Sequence, residues 1–114
     1  MTPEEHLLAA ADDMAEHGHC KEYYFDDPVN WQTSSSCAYG SLARTVSREA
    51  EEGRYAAITE AQECGAAKML AAHIQDKFPH LRGEETWVTI TSFNDLPSTT
   101  GEDVILAMKE AAHG

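Results

Sequence analysis

Positive charge is scarce in this sequence: 8 Lys and Arg stand against 20 Asp and Glu, a net charge of −12. Such a chain repels phosphates, which excludes direct binding to a nucleic-acid backbone. Long apolar runs are missing. No window approaches the roughly 18 uninterrupted apolar residues that a membrane span needs. The 7 glycines are isolated, so no phosphate-cradling loop is present, and neither Gly-x-Ser-x-Gly nor His-Glu-x-x-His occurs. The 3 cysteines, Cys20, Cys37 and Cys64, form no Cys-x-x-Cys pair, and their spacings of 17 and 27 residues fit no standard zinc module. The opening Met1-Thr2-Pro3-Glu4-Glu5 is acidic and polar, unlike a leader peptide. Free thiols, a cytoplasmic setting and no cofactor are therefore expected.

Present instead is enough apolar material, 42% of 114 residues, for one domain over residues 1–114. The acids gather at the two ends. Residues 1–27 carry eight acids and one Lys, net −7. Residues 28–83 carry six of each sign, net zero, and residues 84–114 carry six acids and one Lys, net −5. If the ends meet in space, one face is strongly acidic.

Four helices are predicted. Thr2, Pro3 and Glu5 spell a capping box. After it, Leu7, Leu8, Ala11, Met14 and Ala15 make an apolar face, with Asp12, Asp13 and Glu16 on the solvated side and Gly18 as C-cap. A second helix follows Ser34-Ser35-Ser36. Tyr39, Leu42, Ala43, Val46 and Ala50 form its stripe, Cys37, Gly40, Ser41 and Arg44 lie on another face, and Glu51-Glu52-Gly53 ends it. A third helix spans roughly 54–78, with Tyr55, Ile58, Ala66, Met69 and Leu70 inward and Pro79 as the stop. Gly65 inside it costs about 1 kcal/mol against Ala, which points to a closely approaching neighbour. Thr99 or Thr100 caps the last helix, with Glu102 or Asp103 as reciprocal partner and Val104, Ile105, Met108, Ala111 and Ala112 inward.

Two segments read as strands. Tyr23-Tyr24-Phe25 is short and aromatic, before the Asp26-Asp27-Pro28 turn. Residues 86–91, Thr-Trp-Val-Thr-Ile-Thr, alternate strictly and are β-branched or aromatic. The expected fold is therefore α-dominant α+β: about four helices packed around a small two- or three-stranded sheet.

Cys37-Ala38-Tyr39-Gly40-Ser41-Leu42 and Phe93-Asn94-Asp95, with Glu16-His17-Gly18 closing the first helix and Val104 and Ala111-Ala112 in the last, resemble motifs of a known family. It comprises small actinobacterial and actinophage proteins described only as a domain of unknown function. Its motifs are a Cys-Ala-x-Gly-Ala-Leu run and a Trp-Asn-Asp turn, so Ser41 and Phe93 depart from the pattern. The resemblance implies a bacterial or phage setting and brings no activity.

Chemistry concentrates in a few places. Cys37 sits in the first turn of a predicted helix, where a thiol's pKa is lowered. With His73 as base and Asn94 or Asp95 to orient it, a cysteine-dependent enzyme is one reading. The plainer reading makes Cys37 a small buried hydrophobe and His73 a core histidine. Asn94-Asp95 before Leu96-Pro97 also reads as a turn. His17, His19 and Cys20 offer three metal-ligating side chains within four residues but lack a fourth, so no metal is expected.

The preferred function is an accessory protein that binds a partner protein, and the balance leans away from an enzyme. Asp12, Asp13 and Glu16 offer an acidic contact surface, Tyr23 and Trp31 an aromatic one. The alternatives are the Cys37 enzyme, an acidic nucleic-acid mimic and a homo-oligomeric structural protein.

Overall fold

Thr2 starts the first helix as its neighbours predict. In the computed structural model, which describes residues 2–46 and 53–114, the Thr2 hydroxyl accepts from the Glu5 amide and the Glu5 carboxylate accepts from the Thr2 amide. That reciprocal box satisfies two backbone donors and opens α1, Pro3–His17. There follow α2 (Ala38–Val46), α3 (Gly53–Glu63), α4 (Gly65–Lys77), a 3₁₀ turn at Pro79–Leu81, α5 (Thr86–Asp95) and α6 (Gly101–His113). A second capping box, Thr100 with Asp103, opens α6.

Among the described residues there is no strand, so the α+β expectation is corrected to an all-helical fold. The alternating run 86–91 is helical. Thr89, Ile90, Phe93 and Asn94 are its buried positions, a 3.6-residue period that the sequence carries alongside the period of two. Helix formation also satisfies hydroxyls: Thr91 Oγ1 donates to the Trp87 carbonyl at 2.7 Å. Tertiary burial overrides the β propensity of Thr, Val and Ile. Residues 22–26 find no strand to pair with. They make isolated bridges only, Phe25 with Ser36 and, just before them, His19 with Ser36.

The expected helix over 54–78 is two. Cys64 adopts an extended conformation and its sulfur accepts from the Ala67 amide, capping α4 anew. The close approach inferred from Gly65 is present: a Cβ there would lie 3.0 Å from the Pro3 ring. Ala50, Glu51 and Glu52 lie outside the described residues, as do the side chains of Val46 and Tyr55.

The core forms where α1 packs on α2 and α6, α2 on α3, and α4 on α5 and α6. Leu7, Met14, Leu42, Leu70, Ile90 and Met108 fill it. Packing of α1 against α6 brings the two acidic ends of the chain together. Among the described residues no helix is long and apolar enough to cross a membrane.

One acid does not face solvent. Asp13 is 2% exposed and Arg44 3%, and they form a buried ion pair. Arg44 Nε donates to both carboxylate oxygens at 3.0 Å and Nη2 to Oδ2 at 2.7 Å. Nη1 donates to the Trp31 and Ser34 carbonyls, Nη2 also to Ser36 Oγ, and the guanidinium lies 5.4 Å from the Phe25 ring centre. The Arg44 fork thus ties α1, α2 and the 25–36 segment together.

Candidate functional site

Because 86–95 is a helix, Trp87, Thr91, Asn94 and Asp95 follow one another along one of its sides. They form a wall of a cleft of about 280 Å³. The facing wall is Glu22, Tyr23 and Tyr24, and Cys37 lies at the base.

Asn94, 1% exposed, holds the walls together. Its Oδ1 accepts from the Ala38 amide at 3.0 Å, the first amide of α2, and lies 2.9 Å from His19 Nε2. An amide donor on Oδ1 assigns the other end as Nδ2, so His19 donates through Nε2. Nδ2 in turn donates to the Cys20 carbonyl at 3.1 Å and to Asp95 Oδ1 at 3.0 Å. The same Asp95 oxygen accepts from the Glu22 amide at 3.0 Å. Glu22 has φ of 72°, the left-handed region, and is the one non-glycine residue with positive φ among the described residues. Asp95 thereby anchors a strained turn that aims Tyr23 and Tyr24 at the cleft.

The 24–25 segment can lie this close to α2 because residue 40 is glycine. A Cβ there would sit 2.2 Å from the Tyr24 carbonyl oxygen and 2.8 Å from Ser36 Cβ. The Cys37 amide donates to that same Tyr24 carbonyl at 3.0 Å. The small face of Cys37, Gly40 and Ser41 therefore serves close packing, against an irregular segment rather than a helix.

The candidate catalytic residues divide. Cys37, Asn94 and Asp95 meet at the cleft, but His73 does not. It lines a separate cleft between α4 and α6, with Nε2 3.8 Å from Glu110 Oε2. Cys37 is buried, and burial pushes its thiol up to about 12, against weaker lowering by the Gly40 and Tyr39 amides. The helix N-terminus does not deliver a thiolate at neutral pH. Asn94 and Asp95 are the last residues of α5, not a free turn.

The three metal candidates diverge. His17 lies 4.0 Å from Asp13 and 3.7 Å from Glu16. His19 bonds Asn94. Cys20 Sγ donates to the Tyr23 carbonyl at 3.4 Å and, at 3.8 Å, to that of Ser35. Among the described residues no three His, Cys, Asp or Glu converge as a metal site.

Of the contact candidates, Asp12 and Glu16 are exposed on α1 and Tyr23 is 68% exposed at the cleft. Asp13 is corrected to a core residue. Trp31 is half-buried, its ring 5.4 Å from that of Phe25 and its carbonyl on Arg44, so it serves packing. Sequence reasoning missed Trp87, Tyr24 and Glu22, which required the helical reading of 86–95. It also missed the Asp13–Arg44 pair. Its signal was a lone arginine among the small, apolar residues 38–46, which a carboxylate must neutralise once buried.

The fold is thus an all-helical domain, and its site is a cleft of aromatic and acidic residues around an asparagine clamp. The chain belongs to the Family of unknown function (DUF6197), which it matches over residues 1–114. No curated protein and no solved structure matches it.

Proposed function

We propose that this chain works by binding a partner protein, and that the partner docks on the cleft beside the end of α5. One observation carries the reading: Tyr23 at 68%, Trp87 at 48% and Tyr24 at 37% exposure line a single cleft. Large aromatics left in water together are the composition of an interface centre. The frame beneath them is tied by the Asn94 and Asp95 hydrogen bonds, which lowers the ordering that docking requires. The protonated, buried Cys37 supports a binding role over a catalytic one. The motif resemblance supports a setting in the cytosol of an actinobacterial or phage-infected cell and leaves the activity to the cleft.

The experiment is affinity capture from lysate of the source cells, comparing the wild type with Tyr23→Ala/Trp87→Ala. The reading expects at least one protein enriched by the wild type and lost with the double variant. Enrichment profiles that do not differ between the two would overturn it.

A further inference from the structure

Resting on that docking reading, we propose that the cleft receives a Lys or Arg side chain of the partner. Charge argues first. Glu22 and Asp95 line the cleft and, among the described residues, no Lys or Arg does. The adjacent Lys21 is engaged at the end of α5, its ammonium donating to the carbonyl of Leu96, the C-cap. Asp95 uses Oδ1 for the Glu22 and Asn94 donors, while its Oδ2 accepts no hydrogen bond among the described residues. The Glu22 carboxylate likewise accepts none.

The two helix ends at the cleft agree. Asp95 is the last residue of α5, where the partial charge is negative and a cation is favoured. The opposing positive end of α2 is already capped, since Asn94 Oδ1 takes the Ala38 amide. An anion therefore finds its natural donor used, whereas a cation finds Asp95 Oδ2 and the Glu22 carboxylate.

The aromatics complete the preference. Trp, Tyr and Tyr faces attract a guanidinium or ammonium. Trp87 is held in place, its Nε1 donating to Glu85 Oε2 at 2.7 Å. The cleft volume of about 280 Å³ falls just below the roughly 300–1,000 Å³ of small-molecule sites, a size suited to one side chain.

The probe is acetyl-Gly-Arg-Gly-amide, with its neutral citrulline isostere as control, titrated into the isotope-labelled full chain and followed by NMR. The arginine peptide is expected to shift the Trp87 indole and the Tyr23 and Tyr24 amides. The citrulline peptide should bind roughly tenfold more weakly, and Trp87→Leu should weaken the arginine peptide by roughly threefold to thirtyfold. Glu22→Gln should weaken it severalfold at low salt, and spectra unchanged away from the cleft would show that both variants fold. Equal binding of the two peptides, or shifts centred on Asp12, Glu16 and Glu102 instead, would overturn the proposal. If lysate capture depends on Tyr23 and Trp87 while the arginine peptide does not bind, the cation pocket is refuted and the docking reading stands. Failure of both experiments refutes both.

Discussion

Replacing Asn94 with Ala removes four hydrogen bonds at once: to the Ala38 amide, His19, the Cys20 carbonyl and Asp95. They are not equal. Ala38 is wholly buried, so its amide is left without an acceptor. That orphan costs about 1–3 kcal/mol. His19 and Cys20 are half-buried and Asp95 is exposed, so water recovers much of their bonding. They add about 1 kcal/mol in total, for a loss of about 2–4 kcal/mol. Whole domains are stable by roughly 5–15 kcal/mol. At roughly 4 °C per kcal/mol for this size, the melting temperature should fall roughly 8–16 °C. Asn94→Asp separates shape from hydrogen bonding. Its Oδ1 equivalent still accepts from Ala38, but its second oxygen faces the Cys20 carbonyl and the Asp95 carboxylate with no proton to give. The introduced carboxyl then has a raised folded pKa, so this variant should regain stability relative to wild type as pH falls and the group protonates. Urea unfolding followed by circular dichroism at pH 7 and at about pH 5 reads both effects. An Asn94→Ala loss below about 0.5 kcal/mol, the range of an ordinary surface change, would refute the clamp.

Asp13→Ala should cost about 3–5 kcal/mol by stranding the Arg44 charge, whereas Asp12→Lys and Glu16→Lys should stay within about 0.5 kcal/mol; thermal unfolding of the three variants checks this. His6 is buried, its Nε2 donating to the Leu42 carbonyl at 2.8 Å, and burial holds its pKa below the ordinary 6.5. The unfolded chain binds that proton more readily, so stability is full above pH 6.5 and falls as pH drops below it. His6→Gln should flatten that fall, measured by urea midpoints across the range. Cys37 should be the last cysteine alkylated under native conditions, behind the half-buried Cys20 and Cys64, as timed by mass spectrometry of digests.

The helix ends were legible because their signals are local. Thr2 with Glu5 and Thr100 with Asp103 need only three residues of context. The strand expected over 86–91 failed because two periods coexist there. Thr-Trp-Val-Thr-Ile-Thr alternates, yet Ile90, Phe93 and Asn94 also share a helical face, and only packing against α4 decides between them. There Phe78 meets Phe93 with ring centres 5.5 Å apart, and Gln75 Nε2 donates to Thr89 Oγ1. The same ambiguity hid the cleft, since Trp87, Thr91 and Asp95 share a wall only in a helix. Asp13 was misplaced for a different reason. Its position beside Met14 could face either way, and the choice rests on Arg44, 31 residues later. Asn94 and Cys37 stand out in the sequence, but the role of Asn94 depends on Ala38, 56 residues away, and the burial of Cys37 on the irregular segment at Tyr24, which no spacing rule supplies.

The Asp95 carboxylate anchors the strained Glu22 turn, and that contact shapes the cleft on which the functional reading depends. Amide hydrogen exchange at Glu22 tests it most directly. Glu22 is exposed, and its amide is held by Asp95 Oδ1 at 3.0 Å. The wild type should show a protected Glu22 amide, and Asp95→Ala should release it while Gly18, bonded to the Met14 carbonyl, stays protected. A Glu22 amide that exchanges at the free-chain rate in the wild type would contradict the clamp and the cleft built on it.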